Sequence, residues 1–171
     1  MLVSRGGRVY GSAVRLSTGA WTLVKEVARH VLRRPVIGVA VVGRDAGGRF
    51  LLVRRADTGT WALPGGTLEW GERIGPCIVR ELQEEAAATV ESEPKLAGVY
   101  SDPGRDPRFH AVTIVVECRV ASESPAAENP LEILEARFFA EADLPANMAF
   151  GMKDMLDRSR ASPEVQTAYL E

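Results

Sequence analysis

The segment VIGVAVVG, residues 36–43, is the feature that most restricts how this chain can fold. It is an almost continuous apolar run, rich in β-branched residues. Such a run is typical of a buried strand. The turn-forming stretch RDAGG follows it, and RFLLVRRA then predicts a second strand that returns beside the first. The rest of the chain must therefore supply enough apolar surface to bury the sheet that these two strands form.

Helical and extended patterns alternate along the rest of the chain. The stretch GPCIVRELQEEAAATV, residues 75–90, has apolar residues at helical spacing, and Pro76 suits its first turn because the missing N–H is not needed there. Further strands are predicted at KLAGVYS, AVTIVVECRV and EARFFA, and a short helix near residues 147–159. Strands interrupted by two or three helices in 171 residues predict one α/β sandwich domain, which we place at residues 35–160.

The first 34 residues are expected to form an N-terminal arm. Residues 1–20 are rich in Gly, Ser and Arg, and at most a short strand at 9–16 is predicted there. An amphipathic helix should follow and end before Pro35. Its apolar stripe consists of Trp21, Val24, Val27, Ala28, Val31 and Leu32. The stripe could pack on its own domain or against a second subunit.

Charge and composition narrow the classes of function. A net charge of −2 provides no positive field for a long nucleic acid, although a small charged ligand remains compatible. Cys77 and Cys118 lie far apart among apolar neighbours, so we expect two buried free thiols. No apolar run has the length of a membrane span, and the N-terminus has no apolar core of a secretory signal. We therefore expect a cytoplasmic enzyme or binding domain, with residues 161–171 as a tail.

Three glutamates are concentrated in RELQEE, residues 80–85. On a helix, Glu81, Glu84 and Glu85 fall within about 100° of arc and share one face. Such a run can be the solvated face of a helix, but like charges at i,i+4 cost roughly 0.2–0.5 kcal/mol, and Arg80 is the only basic residue from Ile74 to Pro94. Hard oxygen ligands without countercharge are what Mg²⁺ or Mn²⁺ requires.

The loop before this helix decides between the two interpretations. The stretch GGTLEWGERIGPCIVRELQEEAAA, residues 65–88, resembles the Nudix box, G-x5-E-x7-R-E-U-x-E-E-x-G-U, where U is apolar. Six fixed positions of the box match, and both gaps between them have the correct length. These positions are Gly66, Glu72, Arg80, Glu81, Glu84 and Glu85. The lead-in WALPGG is also similar to the family's approach to the box. The resemblance covers roughly residues 35–160 and implies the Nudix fold, a mixed β-sheet sandwiched between helices with a catalytic loop–helix–loop.

The resemblance also implies roles for the box residues. Glu81, Glu84 and Glu85 would hold a divalent metal, Mg²⁺ with Mn²⁺ as a substitute, and the Gly66 carbonyl would contribute. Arg80 would orient Glu81 and pair with Glu72, which would tie the loop to the helix. One position departs from the family pattern. The glycine that ends the family's helix in a left-handed conformation is Ala87 here, so the helix is expected to run on or to turn differently.

A second segment indicates the class of substrate. The stretch SDPGRDPRFH, residues 101–110, resembles one found in many ADP-ribose and nucleoside-diphosphate-sugar pyrophosphatases. Arg105, Arg108 and His110 would then donate to phosphate or ribose oxygens, and Trp61 would stack on a base. The alternatives are a rigid turn whose Asp and Arg residues pair with each other, a structural histidine, and a core tryptophan.

The C-terminal part adds one candidate and removes another. Relatives often use an acid in a downstream loop as an extra ligand or general base, and Glu132 is the candidate here, followed by Glu128; a solvated loop glutamate is the alternative for both. Many relatives begin the last helix with AFDH. This chain has AFGM instead, so no role for that histidine can be carried over.

The resulting prediction is a divalent-metal-dependent hydrolase. It would cleave the diphosphate bond of ADP-ribose or a related nucleoside-diphosphate sugar and release a nucleoside monophosphate and a sugar phosphate. Two alternatives remain. The first is a nucleoside-triphosphate pyrophosphohydrolase whose substrates include oxidised nucleotides. The second is a binding module that does not hydrolyse its nucleotide. The second would be expected to have lost a box glutamate, whereas every acidic position is filled. A homodimer is expected from the N-terminal helix.

Overall fold

The fold is organised by one mixed β-sheet. The computed structural model describes residues 22–23, 25–28, 34–161 and 169–170. The strands in this part of the chain are β1 Val36–Arg44, β2 Phe50–Arg55, β3 Trp61–Ala62, β4 Thr89–Val90, β5 Lys95–Tyr100, β6 Ala111–Ala121, β7 Ile133–Phe139 and β8 Tyr169–Leu170. Their main order is β3-β2-β1-β6-β5-β8, while β7 pairs with β2 and β4 with β6. Strands β1 and β6 run parallel, and β2 pairs antiparallel with β1, β3 and β7.

Two helices cover the two faces of this sheet. They are α1, Ile74–Ala86, and α2, Met152–Ala161, and short 3-10 turns occur at Glu141–Asp143 and Ala149–Gly151. Alternate residues of β1 belong to different hydrophobic clusters. Val39 and Val41 pack in the cluster that contains Ile78 and Leu82 of α1. Ala40 and Val42 pack in the cluster that contains Met155 and Leu156 of α2. Burial on both faces explains the unbroken apolar run, and the predicted sheet between helices is confirmed.

Helix α1 ends at Ala86, earlier than the apolar pattern predicts. Ala87 adopts a left-handed conformation, with φ 46° and ψ 41°. Its N–H donates to the Gln83 carbonyl at 3.0 Å, and the N–H of Ala88 donates to the Leu82 carbonyl at 3.1 Å. The helix therefore does not run on. It takes the left-handed exit at an alanine, which carries the steric cost that a glycine would avoid.

We expect Ala87→Gly to stabilise the protein by about 1 kcal/mol, since Ala87 is exposed and loses no packing when its methyl group is removed. Urea unfolding would measure the change. Ala146→Gly is the matched control, because Ala146 is also exposed but is not among the described alanines with positive φ. That control should lose stability, since glycine increases the entropy of the unfolded chain. Equal destabilisation by both substitutions would contradict the account of the helix exit.

The two ends of the chain are described in part. Residues 1–34 and 35–171 form separate compact units. In the first unit, residues 22–23 and 25–28 are helical, and Leu23 and Val27 are exposed. The predicted strand at 9–16 and the other large apolar residues of the stripe lie outside the described residues. In the predicted tail, β8 pairs parallel with β5. Among the described residues, no helix combines the length and the apolar character of a membrane span.

Candidate active site

The glycine pair Gly65–Gly66 lies along the edge of β1. The Val39 N–H donates to the Gly66 carbonyl at 2.9 Å, and the Val41 N–H donates to the Pro64 carbonyl at 2.8 Å. Gly65 has φ +145°, and a Cβ atom there would lie 2.2 Å from the Val39 carbonyl oxygen. Only glycine allows this close approach of two backbones. The strand therefore sets the position of the glycine pair.

The carboxylates of α1 lie against this glycine pair. The Gly65 N–H donates to Glu85 Oε2 at 2.8 Å. A Cβ atom on Gly66 would lie 2.3 Å from Glu81 Oε1, so the missing side chain leaves the space that the Glu81 carboxylate occupies. Glu81 is buried, Glu85 is half-buried and Glu84 is exposed. Glu81 and Glu85 thus lie against the glycine pair, and Glu84 is open to solvent.

Arg80 ties the preceding loop to this acidic face. Its Nε and Nη2 donate to the two oxygens of Glu72 at 2.9 and 3.0 Å. Its Nη1 donates to Glu81 at 2.8 Å and to Glu84 at 3.4 Å. Hydrogen bonds from Arg80 lower the pKa of Glu72 to about 2. Glu72 therefore stays ionised and holds the guanidinium in place, which agrees with the pairing that the resemblance implies.

The acidic face has more negative charge than Arg80 can balance. Burial raises the pKa of Glu85 to about 8, and the neighbouring charges of Glu81 and Glu132 add to that effect. Burial also raises the pKa of Glu81, although Arg80 opposes the change. A divalent cation would offset this excess charge, so the set of hard oxygen donors fits one chemically.

The carboxylates are not gathered around a single point. Within the described segments, no group of three or more His, Cys, Asp or Glu side chains is arranged to hold a metal ion. Glu81 and Glu84 are turned toward Arg80, while Glu85 is turned toward Gly65. The Gly66 carbonyl already accepts the Val39 N–H, but a carbonyl oxygen has a second lone pair available. The donors are therefore present and adjacent without forming a closed ligand set.

The glycine pair also lines a cleft of about 280 Å³. Its wall includes Gly65 and Gly66 and three arginines, Arg55, Arg105 and Arg108. Tyr100, Phe109 and Phe150 also line it. The glycine pair therefore contacts both the acidic helix and a cleft that bears guanidinium and aromatic groups.

The predicted loop arginines line the cleft, and both are ion-paired. Arg108 donates to Asp106 at 2.7 Å and to Asp57 at 3.0 Å, and its guanidinium lies 4.2 Å from the centroid of the Phe150 ring. Arg105 donates to Asp154 at 2.9 Å and lies over the Tyr100 ring. Asp106 and Arg108 therefore form a pair within SDPGRDPRFH, as the alternative interpretation requires, whereas Arg105 pairs with Asp154 outside that segment.

Trp61 and His110 lie outside the lining of the described cleft. Trp61 does not line the described cleft, and its ring packs edge-to-face on Phe139 with centroids 4.7 Å apart. His110 does not line it either, and its Nε2 lies 2.7 Å from the Ser101 carbonyl oxygen. These contacts are those of the structural alternative, and the contact of either residue with substrate stays a prediction.

The downstream loop reaches the end of α1. The N–H of Glu128 donates to the Glu84 carbonyl at 2.7 Å, and the N–H of Ala126 donates to the Ala86 carbonyl at 3.4 Å. These bonds satisfy carbonyls that lack partners within the helix. Glu132 is exposed, and its charge contributes to the raised pKa of Glu85. The loop therefore places Glu132 close enough to the acidic face to affect it electrostatically, and its role as ligand or base stays a prediction.

Sequence reasoning missed two residues of the cleft. Arg55 ends β2, donates to Asp57 at 2.8 Å, and lies 5.1 Å from the centroid of Phe150. Phe150 has φ 54° and ψ 32°, an uncommon backbone conformation for an aromatic residue. AFGM departs from AFDH next to this residue, but that departure indicates only the missing histidine. No local pattern distinguished Arg55 from its neighbour Arg54.

Comparison with known proteins agrees with this geometry. A family model described as NUDIX domain matches residues 33–159. An ADP-ribose pyrophosphatase of Methanocaldococcus jannaschii is 36% identical over 115 residues, which are 65% of this chain and 65% of that protein. A MutT-like protein of Streptomyces ambofaciens is 39% identical over 108 residues, 58% of this chain and 67% of that protein. The match thus spans about two thirds of the length of these curated relatives.

Comparison with solved structures gives the same result for the fold. The crystal structure of a MutT NUDIX hydrolase from Burkholderia pseudomallei superposes with a TM-score of 0.64 at 26% identity. The match covers 74% of this chain and 98% of that one. The family model covers well over half of the chain and includes all the box residues, from Gly66 to Glu85. This chain therefore belongs to the Nudix family.

Proposed function

We propose that the protein hydrolyses the diphosphate bond of ADP-ribose or a related nucleoside-diphosphate sugar, with a divalent metal, giving a nucleoside monophosphate and a sugar phosphate. The observation that carries this proposal is the glycine pair, which contacts the Glu81–Glu85 face and also lines the cleft that contains the arginines. The relative in M. jannaschii is named for ADP-ribose. The resemblance of SDPGRDPRFH to such enzymes points in the same direction.

The acidic face of α1 and the cleft would have different roles in the reaction. On the acidic side, Glu81, Glu84 and Glu85 would hold the metal with the Gly66 carbonyl, and Mg²⁺ suits such oxygen ligands, with Mn²⁺ as a substitute. When bound, the metal would neutralise the diphosphate and lower the pKa of attacking water. Arg80, fixed by Glu72, would keep Glu81 oriented.

On the cleft side, the arginines and aromatic rings would hold the parts of the substrate that do not react. Arg55 and Arg108 are stacked on Phe150 and restrained by carboxylates, so they keep defined positions before substrate arrives. Preorganised donors lose little entropy when they bind. The open backbone at Gly65 and Gly66 would let the diphosphate approach both sides.

A substrate panel tests this proposal. ADP-ribose, UDP- and GDP-sugars, dGTP, 8-oxo-dGTP and diadenosine polyphosphates would be incubated with Mg²⁺, with Mn²⁺ and with EDTA, and the products separated by chromatography. We expect sugar-linked diphosphates to give the highest kcat/KM and EDTA to abolish turnover. Turnover of triphosphates alone would keep the metal site and overturn the assigned substrate. Metal-supported binding without any turnover would favour a binding module.

Two further expectations form part of the proposal. We expect a cytoplasmic protein that assembles as a homodimer, in which the N-terminal helix provides an apolar contact. Val27, a member of the predicted stripe, is exposed in the described part of that helix. A monomer in sedimentation at micromolar concentration would refute the dimer.

A further inference from the structure

Two aspartates link the arginines of the cleft into one network. Both carboxylate oxygens of Asp57 accept from Arg55, at 2.9 and 2.8 Å. One of them also accepts from Arg108 Nη1 at 3.0 Å. On its other side, Arg108 donates to both oxygens of Asp106, at 2.9 and 2.7 Å. Asp57 therefore bridges the end of β2 and the 101–110 loop, and Asp106 completes the pairing of Arg108.

The network leaves the cleft without a surplus of positive charge. Each of the three arginines that line it has a carboxylate partner, Asp57 for Arg55, Asp106 for Arg108 and Asp154 for Arg105. Asp106 is only 7% exposed, so water screens its charge poorly. A phosphate that entered this cleft would find guanidinium groups already bound to carboxylates.

A sugar would find a better match. Sugar hydroxyls both donate and accept hydrogen bonds, and they suit a site in which each guanidinium donor is paired with a carboxylate acceptor. A phosphate offers acceptors only, and it would be repelled by the aspartates at close range. Binding sites commonly achieve specificity with a group that repels the wrong ligand.

From this arrangement we propose that Asp57 and Asp106 determine the substrate class. They would admit a substrate whose diphosphate is followed by a neutral sugar and disfavour one whose diphosphate is followed by another phosphate. This inference rests on the proposed function and deepens it. It assigns discrimination between sugar-linked diphosphates and triphosphates to the paired aspartates rather than to the arginines.

ATP and ADP-ribose are a suitable pair of probes. They share the ADP group and differ in whether a phosphate or a ribose follows it. We expect Asp57→Asn to raise kcat/KM for ATP relative to ADP-ribose by about tenfold, since one negative charge near the terminal phosphate is removed. Asp106→Asn should change the same ratio in the same direction. Asp57 is exposed, so its substitution should leave the fold intact even if the buried Asp106 does not tolerate the change.

Asp45→Asn is the matched control. Asp45 also lies in a turn and pairs with an arginine at 2.6 Å, but that arginine, Arg49, is not among the residues that line the cleft, whereas both arginine partners of Asp57 are. The control should leave the ratio of ATP to ADP-ribose turnover unchanged.

The outcomes separate this inference from the proposed function. An unchanged ratio in Asp57→Asn, with wild-type hydrolysis of ADP-ribose, would overturn the role of the aspartates and keep the function. Wild-type preference for ATP would also overturn it, while metal-dependent hydrolysis would stand. If no compound of the substrate panel is hydrolysed, the proposed function fails, and calorimetric Kd values for ATP and ADP-ribose decide. Equal Kd values would then overturn the inference, and tighter ADP-ribose binding that Asp57→Asn weakens relative to ATP would support it.

Discussion

Replacing Glu84 or Glu85 by glutamine is expected to lower turnover by about 10²–10³-fold while the protein stays folded. Both glutamates occupy the acidic face of α1 next to the glycine pair. A glutamine keeps the size of the side chain but removes the charge that would hold a divalent cation. Steady-state kinetics on ADP-ribose with saturating Mg²⁺ would measure the loss. Glu91→Gln, which changes an exposed glutamate outside the helix, should retain full turnover.

The folding control for Glu85→Gln follows from electrostatics. In the metal-free protein burial raises the pKa of Glu85 from 4.5 to about 8. Because the folded state holds this proton more tightly than the unfolded state, the stabilising contribution is complete below pH 4.5 and is lost as pH rises through 8. Glutamine cannot ionise, so metal-free Glu85→Gln should be at least as stable as the wild type at pH 8. Near-normal turnover in both glutamine variants would contradict the metal-binding role.

The second large effect is expected at Gly65. Gly65→Ala should lower the free energy of unfolding by about 3 kcal/mol or more, since its Cβ would overlap the Val39 carbonyl oxygen at 2.2 Å and its φ of +145° is strained for alanine. For a chain of this size, that loss corresponds to a fall in Tm of about 10 °C. Thermal unfolding followed by circular dichroism would measure it.

Gly66→Ala is a matched comparison one residue away. Its Cβ would meet the Glu81 carboxylate, which can move, rather than the backbone of β1. We therefore expect Gly66→Ala to keep most of its stability and to lose turnover, because Glu81 is displaced. Similar stability in both variants would show that the backbone contact of Gly65 with β1 does not have the importance we assign to it.

The parts of the fold that could be predicted are those that depend on local pattern. The apolar run at residues 36–43 indicated a strand buried on both faces, and its alternate residues do enter two different clusters. The helix end could not be read from composition, since three alanines favour continuation. The exit at Ala87 depends on backbone conformation and on a loop that binds the carbonyls of Glu84 and Ala86 from more than 35 residues away.

The candidate site also has one part that a local pattern predicts and one part that it does not. The spacing from Gly66 to Glu85 lies within one loop and one helix, so a motif could identify it. The cleft is assembled from the end of β2, the 101–110 loop and the turn at Phe150, which are distant in sequence. A residue such as Arg55 therefore carries no local signal. Trp61 and His110 looked suitable by residue type, but their contacts are with Phe139 and the Ser101 carbonyl.

The most direct test of the central claim is to follow ADP-ribose with metal-depleted protein before and after Mg²⁺ is added. The account predicts no products before addition, and afterwards AMP and ribose 5-phosphate in equal amounts. Equal rates before and after addition, or a product pair from cleavage outside the diphosphate, would contradict the claim that the acidic face of α1 supports metal-dependent hydrolysis at the glycine pair.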